Sequence, residues 1–195
     1  MSIVVAGLKG GVGKTTTTLY IAALLGQRRP VVVIDADPQA SAAEWLETRP
    51  VSGVTLVEAP TERLLKRALH RSEGEVIVDT PPGSQRLAET ALSSAEVVIV
   101  PTRVGGVEVG RVQAAWSILP KGLPAGLVVC SARPYTRDHR DTVAAWEEVG
   151  FPIWGTIPER VGIAAGPDAD LHPDGLEAYR AVWDRVRRAR RTARR

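Results

Sequence analysis

The sequence has a single cysteine, Cys130, among 195 residues. A disulfide framework within the chain is therefore excluded, and one thiolate cannot by itself hold a metal cluster inside one subunit. A buried small hydrophobe is the expected role for this side chain. No apolar run approaches the roughly 18 residues of a membrane span. Met1 leads straight into the strand-like Ile3-Val4-Val5-Ala6 without a signal-peptide pattern, so a soluble, cytoplasmic protein is expected. Internal repeats are missing, as is any stretch rich enough in Gly, Ser or Pro to act as a linker between domains; Pro81-Pro82-Gly83 reads as a turn. With 44% hydrophobic residues, the chain can bury one sizeable core and is too short for two ordinary ones.

The formal charge of +3 hides an asymmetry. Residues 180–195 hold eight arginines and one acid, Asp184, which leaves 17 basic against 21 acidic residues elsewhere. A basic tail beside an acidic body is either a solvated helix end or a surface for a polyanionic partner.

Short apolar runs recur at Ile3 to Ala6, Val31 to Ile34, Val54 to Val57, Val76 to Val78, Val97 to Val100, Leu127 to Val129 and Ile153 to Ile157. Runs of this length without polar alternation read as parallel strands buried on both faces. Helical patterns fall between them at about 15–26, 41–48, 61–71, 84–94, 107–119 and 138–149. The alternation predicts a doubly wound α/β domain, a mostly parallel sheet of about seven or eight strands with helices on both faces. A last helix from near Pro173 would place Leu176, Tyr179, Val182, Trp183 and Val186 on one docking face. The domain is expected to span 1–186, with 187–195 a basic, frayed tail.

After the first strand comes Lys9-Gly10-Gly11-Val12-Gly13-Lys14-Thr15-Thr16. Gly10, Gly11 and Gly13 allow the backbone to curl around phosphate with its N–H groups inward, where a Cβ would obstruct. Lys14 opens the helix, so its ammonium and the helix N-terminus both face the β- and γ-phosphates, and the Thr15 hydroxyl is placed for Mg²⁺. Leu8 stands where the usual motif has its first glycine, and Gly7 lies one residue too early. A second lysine, Lys9, is poorly explained by binding within one chain, since Lys14 already serves that role and like charges repel. Two more strands end in carboxylates, at Asp35-Ala36-Asp37-Pro38-Gln39 and Asp79-Thr80-Pro81-Pro82-Gly83. Ligands of open α/β sheets bind at those ends, and Asp79 fits the role of holding Mg²⁺ through its water shell.

At Lys9 to Thr16 and Asp35 to Gln39 the sequence resembles the ParA/MinD family of deviant Walker A P-loop ATPases, in particular short ParA-type partition ATPases. The resemblance runs from Ser2 to the final helix. It implies a Mg²⁺-dependent ATPase, slow without a partner, whose ATP-bound homodimer closes face to face. Lys9 would then reach the partner's nucleotide, Asp37 would position the attacking water, and Asp35 would join Thr15 and Asp79 in the magnesium shell. Gly83 would sense the γ-phosphate. Cys130-Ser131-Ala132 and Ile157-Pro158-Glu159-Arg160 correspond to loops that bracket the base, with Pro158 the named contact, and Val100-Pro101-Thr102 to a step near the dimer interface.

Within the family, ParA-like members bind non-specific DNA and move plasmids, chromosomes or protein cargo, whereas MinD-like members dock on membranes through an amphipathic helix. After Val186 the chain offers no Leu, Phe or Trp to enter lipid, so no stable membrane anchor is expected. Arg187, Arg188, Arg190 and Arg191, with Arg160, are the expected DNA phosphate contacts. The expectation is a nucleoid-associated DNA partition ATPase released by a ParB-like or other adaptor that stimulates hydrolysis. Protein-cargo positioning is the alternative, and a metabolic ligase or a membrane-associated ATPase is more distant.

Overall fold

The computed structural model describes residues 2–7, 9–105 and 108–193. Leu8, residue 107 at the start of the expected fifth helix, and the last two arginines lie outside the described residues. Among the described residues, seven strands alternate with helices. They are β1 (Ser2–Val5), β2 (Val31–Asp35), β3 (Val54–Glu58), β4 (Glu75–Asp79), β5 (Ala95–Thr102), β6 (Ala125–Ala132) and β7 (Ile153–Pro158). All pair in parallel, in the order β3-β2-β4-β1-β5-β6-β7. The helices are α1 (Lys14–Gly26), α2 (Ser41–Thr48), α3 (Glu62–Arg71), α4 (Gln85–Leu92), α5 (Glu108–Ser117), α6 (Arg137–Glu148), α7 (Val161–Ala164) and α8 (Pro173–Ala193).

The continuous apolar runs work because both sheet faces are covered. Ile3, Val5, Val33, Ile77 and Ile99 point into one core with α1, α2 and α8, while Val4, Ile34, Val78, Val98 and Val100 point into the other with α3 to α6. Pro101 is accommodated within central strand β5 because the Val98 N–H faces β6, donating to Pro124 O at 2.8 Å, so the Pro101 nitrogen faces the other neighbour, β1. That strand has already ended, and no ladder donor is lost.

The final helix differs from expectation. It continues to Ala193, seven residues past the boundary placed at 186, and Arg190 is 7% exposed. The buried stripe Gly175, Tyr179, Val182, Trp183, Val186 therefore has one more member, a charged one. At its other end the helix lies close on α1: an ideal Cβ on Gly175 would come 2.4 Å from the Tyr20 ring, and Tyr20 and Tyr179 stack with centroids 4.9 Å apart. Only glycine permits that approach.

Candidate active site

β1, β2 and β4 are adjacent in the sheet, so their carboxyl ends deliver the glycine-rich loop, Asp35 and Asp79 to one place. Gly11 and Gly13 have φ of +72° and +98°, the left-handed region. At Gly13 space is also limiting, since a Cβ would sit 3.1 Å from Cys130 Sγ. The thiol thus forms part of the floor beneath the loop. Burial pushes its pKa up to about 11, so it is a protonated packing group at neutral pH.

Lys14 begins α1 and is 7% exposed. Its ammonium donates to the Lys9 carbonyl at 2.8 Å, tying the two ends of the loop. Burial lowers its pKa, with the charges of Asp79 and Asp37 opposing that shift. Thr15 Oγ1 donates to Asp79 Oδ2 at 2.7 Å and Thr18 Oγ1 to Oδ1 at 3.3 Å. Asp79 is buried, and desolvation pushes its pKa up to about 7 against these hydrogen bonds. A hydroxyl and a carboxylate are hard oxygen donors that suit Mg²⁺, which takes few protein ligands. Among the described residues there is accordingly no cluster of three or more His, Cys, Asp or Glu side chains arranged to hold a metal.

Asp35 pairs with Asp79 in the β2–β4 register, but its carboxylate is turned to the backbone. Oδ1 accepts from Asp37 N and Oδ2 from Ala42 N and Ala43 N, each at 3.0 Å. The physical reason is that α2 has alanine at its N-cap, in the left-handed region, with no side-chain acceptor. Asp35 supplies the missing cap from the preceding strand. It therefore builds the turn that carries Asp37. Asp37 is half-buried, borders the cavity, and accepts from Gln39 N at 2.9 Å.

A cavity of about 460 Å³ opens above this loop. Gly10, Gly11, Gly13, Lys14, Thr15, Thr16, Asp37, Pro158 and Arg160 all border it, so the structure gathers most of the sequence-predicted residues. Val12 is buried beneath, 3% exposed, and Lys9 stands exposed on the loop. Sequence reasoning missed Trp45, Arg103, Ile163 and Pro167, which also border it. The last two belong to α7 and a 3-10 turn (Gly166–Asp168) that packs against α2, a segment with no periodicity to announce it.

The expected DNA contacts do not form one group. Arg160 borders the nucleotide cavity, whereas Arg187 to Arg191 lie at the opposite end of the sheet, where β4 begins at Glu75. Arg187 pairs with Asp184 at 2.9 Å. Arg188 and Arg191 are exposed. Arg190 corrects the expectation most: it is bidentate to buried Glu75, at 2.9 and 3.3 Å, and also bonds Glu96 at 3.0 Å. Its guanidinium ties α8 to the sheet and is not a surface phosphate contact.

A glycine loop joining a parallel strand to a helix, a buried lysine at the helix start and a hydroxyl–carboxylate pair beside it define a phosphate-binding P-loop domain. More particularly, the chain belongs to the CobQ/CobB/MinD/ParA nucleotide binding domain family, whose model matches residues 3–173. Among relatives, it is 29% identical to the chromosome-partitioning ATPase Soj of Thermus thermophilus over 94% of each chain. It is 41% identical to the maintenance of carboxysome distribution protein A of Gloeobacter kilaueensis over 98 residues, 48% of this chain and 45% of that relative. A Borrelia burgdorferi protein assigned to plasmid partition, bound to AMPPNP, has the same fold, with a TM-score of 0.80 at 21% identity over 96% of this chain and 98% of that one. No described helix is long and apolar enough to cross a membrane.

Proposed function

We propose that this chain is a ParA-like ATPase that hydrolyses ATP to ADP and phosphate in a nucleotide-closed dimer and uses that cycle to hold and release DNA. The observation that carries the reading is the division between two lysines. Lys14 is buried at the end of the loop with its ammonium directed onto the loop's own backbone, while Lys9 is exposed at the loop's start. One chain needs one lysine for the β/γ-phosphates; the exposed one suits the nucleotide of a second copy.

Thr15 and Asp79 are the residues that would hold Mg²⁺, which would supply charge neutralisation for the nucleotide's phosphates. Asp37, at the cavity wall on a turn fixed by Asp35, orients the water whose oxygen attacks the γ-phosphorus as the bond to the β-phosphate bridging oxygen breaks. Lys14 and the N-terminus of α1 stabilise the charge that moves to the leaving group. Pro158 and the segment after β7 face the base. The basic C-terminal region contributes sequence-independent attraction for DNA, and an adaptor protein sets the release rate.

Asp37→Ala tests the assignment. Losing the water-positioning carboxylate should cut turnover about 10²–10⁴-fold while ATP binding and DNA retention persist. Normal turnover in that variant would remove Asp37 from the mechanism, and ATP-dependent DNA binding that survives Lys9→Ala would remove the trans lysine. The similarity to a carboxysome distribution protein favours a second reading, in which the moved cargo is a protein assembly. A neighbouring gene for a DNA-binding protein with repeated sites nearby supports the first reading; a neighbouring microcompartment gene supports the second.

A further inference from the structure

α1 starts at the phosphate loop and ends at Gly26, and its 13 residues at about 1.5 Å each place Arg28 and Arg29 roughly 20 Å away, at the other pole of the sheet. There a cleft of about 340 Å³ is bordered by Arg28 and Arg29 from the turn after α1 and by Arg187, Arg190 and Arg191 from α8. Its charge divides into two classes. Arg29 is 2.9 Å from Glu75, Arg190 bridges Glu75 and Glu96, and Arg187 holds Asp184. Arg28 and Arg191 are exposed, and neither makes an ion pair among the described residues.

The paired arginines fix the cleft's walls, and the other two leave it with uncompensated positive charge facing water. A concave surface with forked donors matches phosphodiester oxygens better than a frayed tail could, because the paired arginines hold the walls in place and only the side chains of Arg28 and Arg191 have to be ordered on binding. We propose that this composite cleft grips the backbone of duplex DNA, with Arg28 and Arg191 as phosphate contacts. The inference rests on the DNA-binding reading above. It changes where the contact lies, since half of it comes from the turn after α1, some 160 residues before the tail, and none from Arg160.

Counterion release sets the expected size. Each phosphate contact contributes about 0.9 to the slope of log K against log salt, which is about eightfold in affinity at 0.1 M salt. Fluorescence anisotropy of a random-sequence duplex with the ATP-loaded full chain should show Arg28→Ala and Arg191→Ala each about eightfold weaker, the double variant about 60-fold weaker, and the slope shallower by about 0.9 per residue. ATPase activity without DNA should be unchanged, because neither residue borders the nucleotide cavity. Arg67→Ala, an exposed arginine on α3, makes the same charge change off the cleft and should be near wild type. If wild type binds DNA and Arg28→Ala behaves like Arg67→Ala, the cleft is refuted and the DNA reading stands. If ATP-loaded wild type binds no duplex, both fall. Arg28-dependent binding to anionic phosphatidylglycerol vesicles in place of duplex would overturn the choice of partner.

Discussion

Arg190→Ala separates a docked final helix from a loose one. Arg190 is 7% exposed, and its guanidinium makes four contacts within 3.3 Å to two carboxylates, one of which, Glu75, is itself 3% exposed. Removing one partner of a buried pair typically costs about 3–5 kcal/mol, most of it the penalty for the charge left behind. Here Arg29 remains 2.9 Å from Glu75 with about half its side chain in water, so some of that penalty is relieved. A loss of about 2–3 kcal/mol is expected. For a chain of this length that corresponds to a fall in Tm of about 4–12 °C. Urea titration and thermal melts of the nucleotide-free protein measure both. Arg188→Ala, in solvent two residues away, should stay within about 0.5 kcal/mol of wild type. Arg190→Lys should fall between, because an ammonium cannot present the planar fork that spans Glu75 and Glu96. If Arg190→Ala and Arg188→Ala are equally mild, the helix end carries no structural load and the ion cluster has been given too much weight.

Two further outcomes follow from the nucleotide site. Asp79 has a folded-state pKa near 7 against an ordinary value of 3.8, so the folded chain keeps a proton that the unfolded chain has already lost across that interval. Stability of the nucleotide- and metal-free protein should therefore fall as pH rises from about 4 to 7 and level off above it. Asp79→Asn removes this dependence and should be more stable than wild type at pH 8, by a few kcal/mol at most, with the gap closing near pH 4; parallel melts without a gap at pH 8 would refute the buried-carboxylate account. Gly13→Ala meets both a φ of +98° and a Cβ 3.1 Å from Cys130 Sγ. It should weaken Mg-ATP binding at least about tenfold by calorimetry, from roughly 2 kcal/mol of local strain and the displaced loop. Adding Cys130→Ala should recover only the steric share.

The seven strands and most helices were legible because their signals are local. A parallel strand covered on both faces must be apolar at every position, and a phosphate loop must have glycine where φ is positive, so Val31 to Ile34, and Gly11 with Gly13, announce themselves. Family resemblance then pointed to Lys9, Asp37 and Pro158, two of which the fold brings to one cavity with Lys14 while Lys9 stands exposed on the loop. Asp35 has a part that no row of residues shows: only the three-dimensional path of the chain reveals that α2 begins with an uncapped alanine within its reach.

Arg190 makes the same point at the other pole. By composition it is one of eight arginines in a basic tail, and its neighbours Arg188 and Arg191 do lie in solvent. Its buried position depends on helical phase together with Glu75 and Glu96, which stand 115 and 94 residues away in the chain. The sequence by itself determined which residues could form a nucleotide loop and which would be strands, because those demands act within a few neighbouring residues. Only the tertiary structure decided which charged groups face water and which face each other, because desolvation and pairing depend on what distant segments are packed alongside.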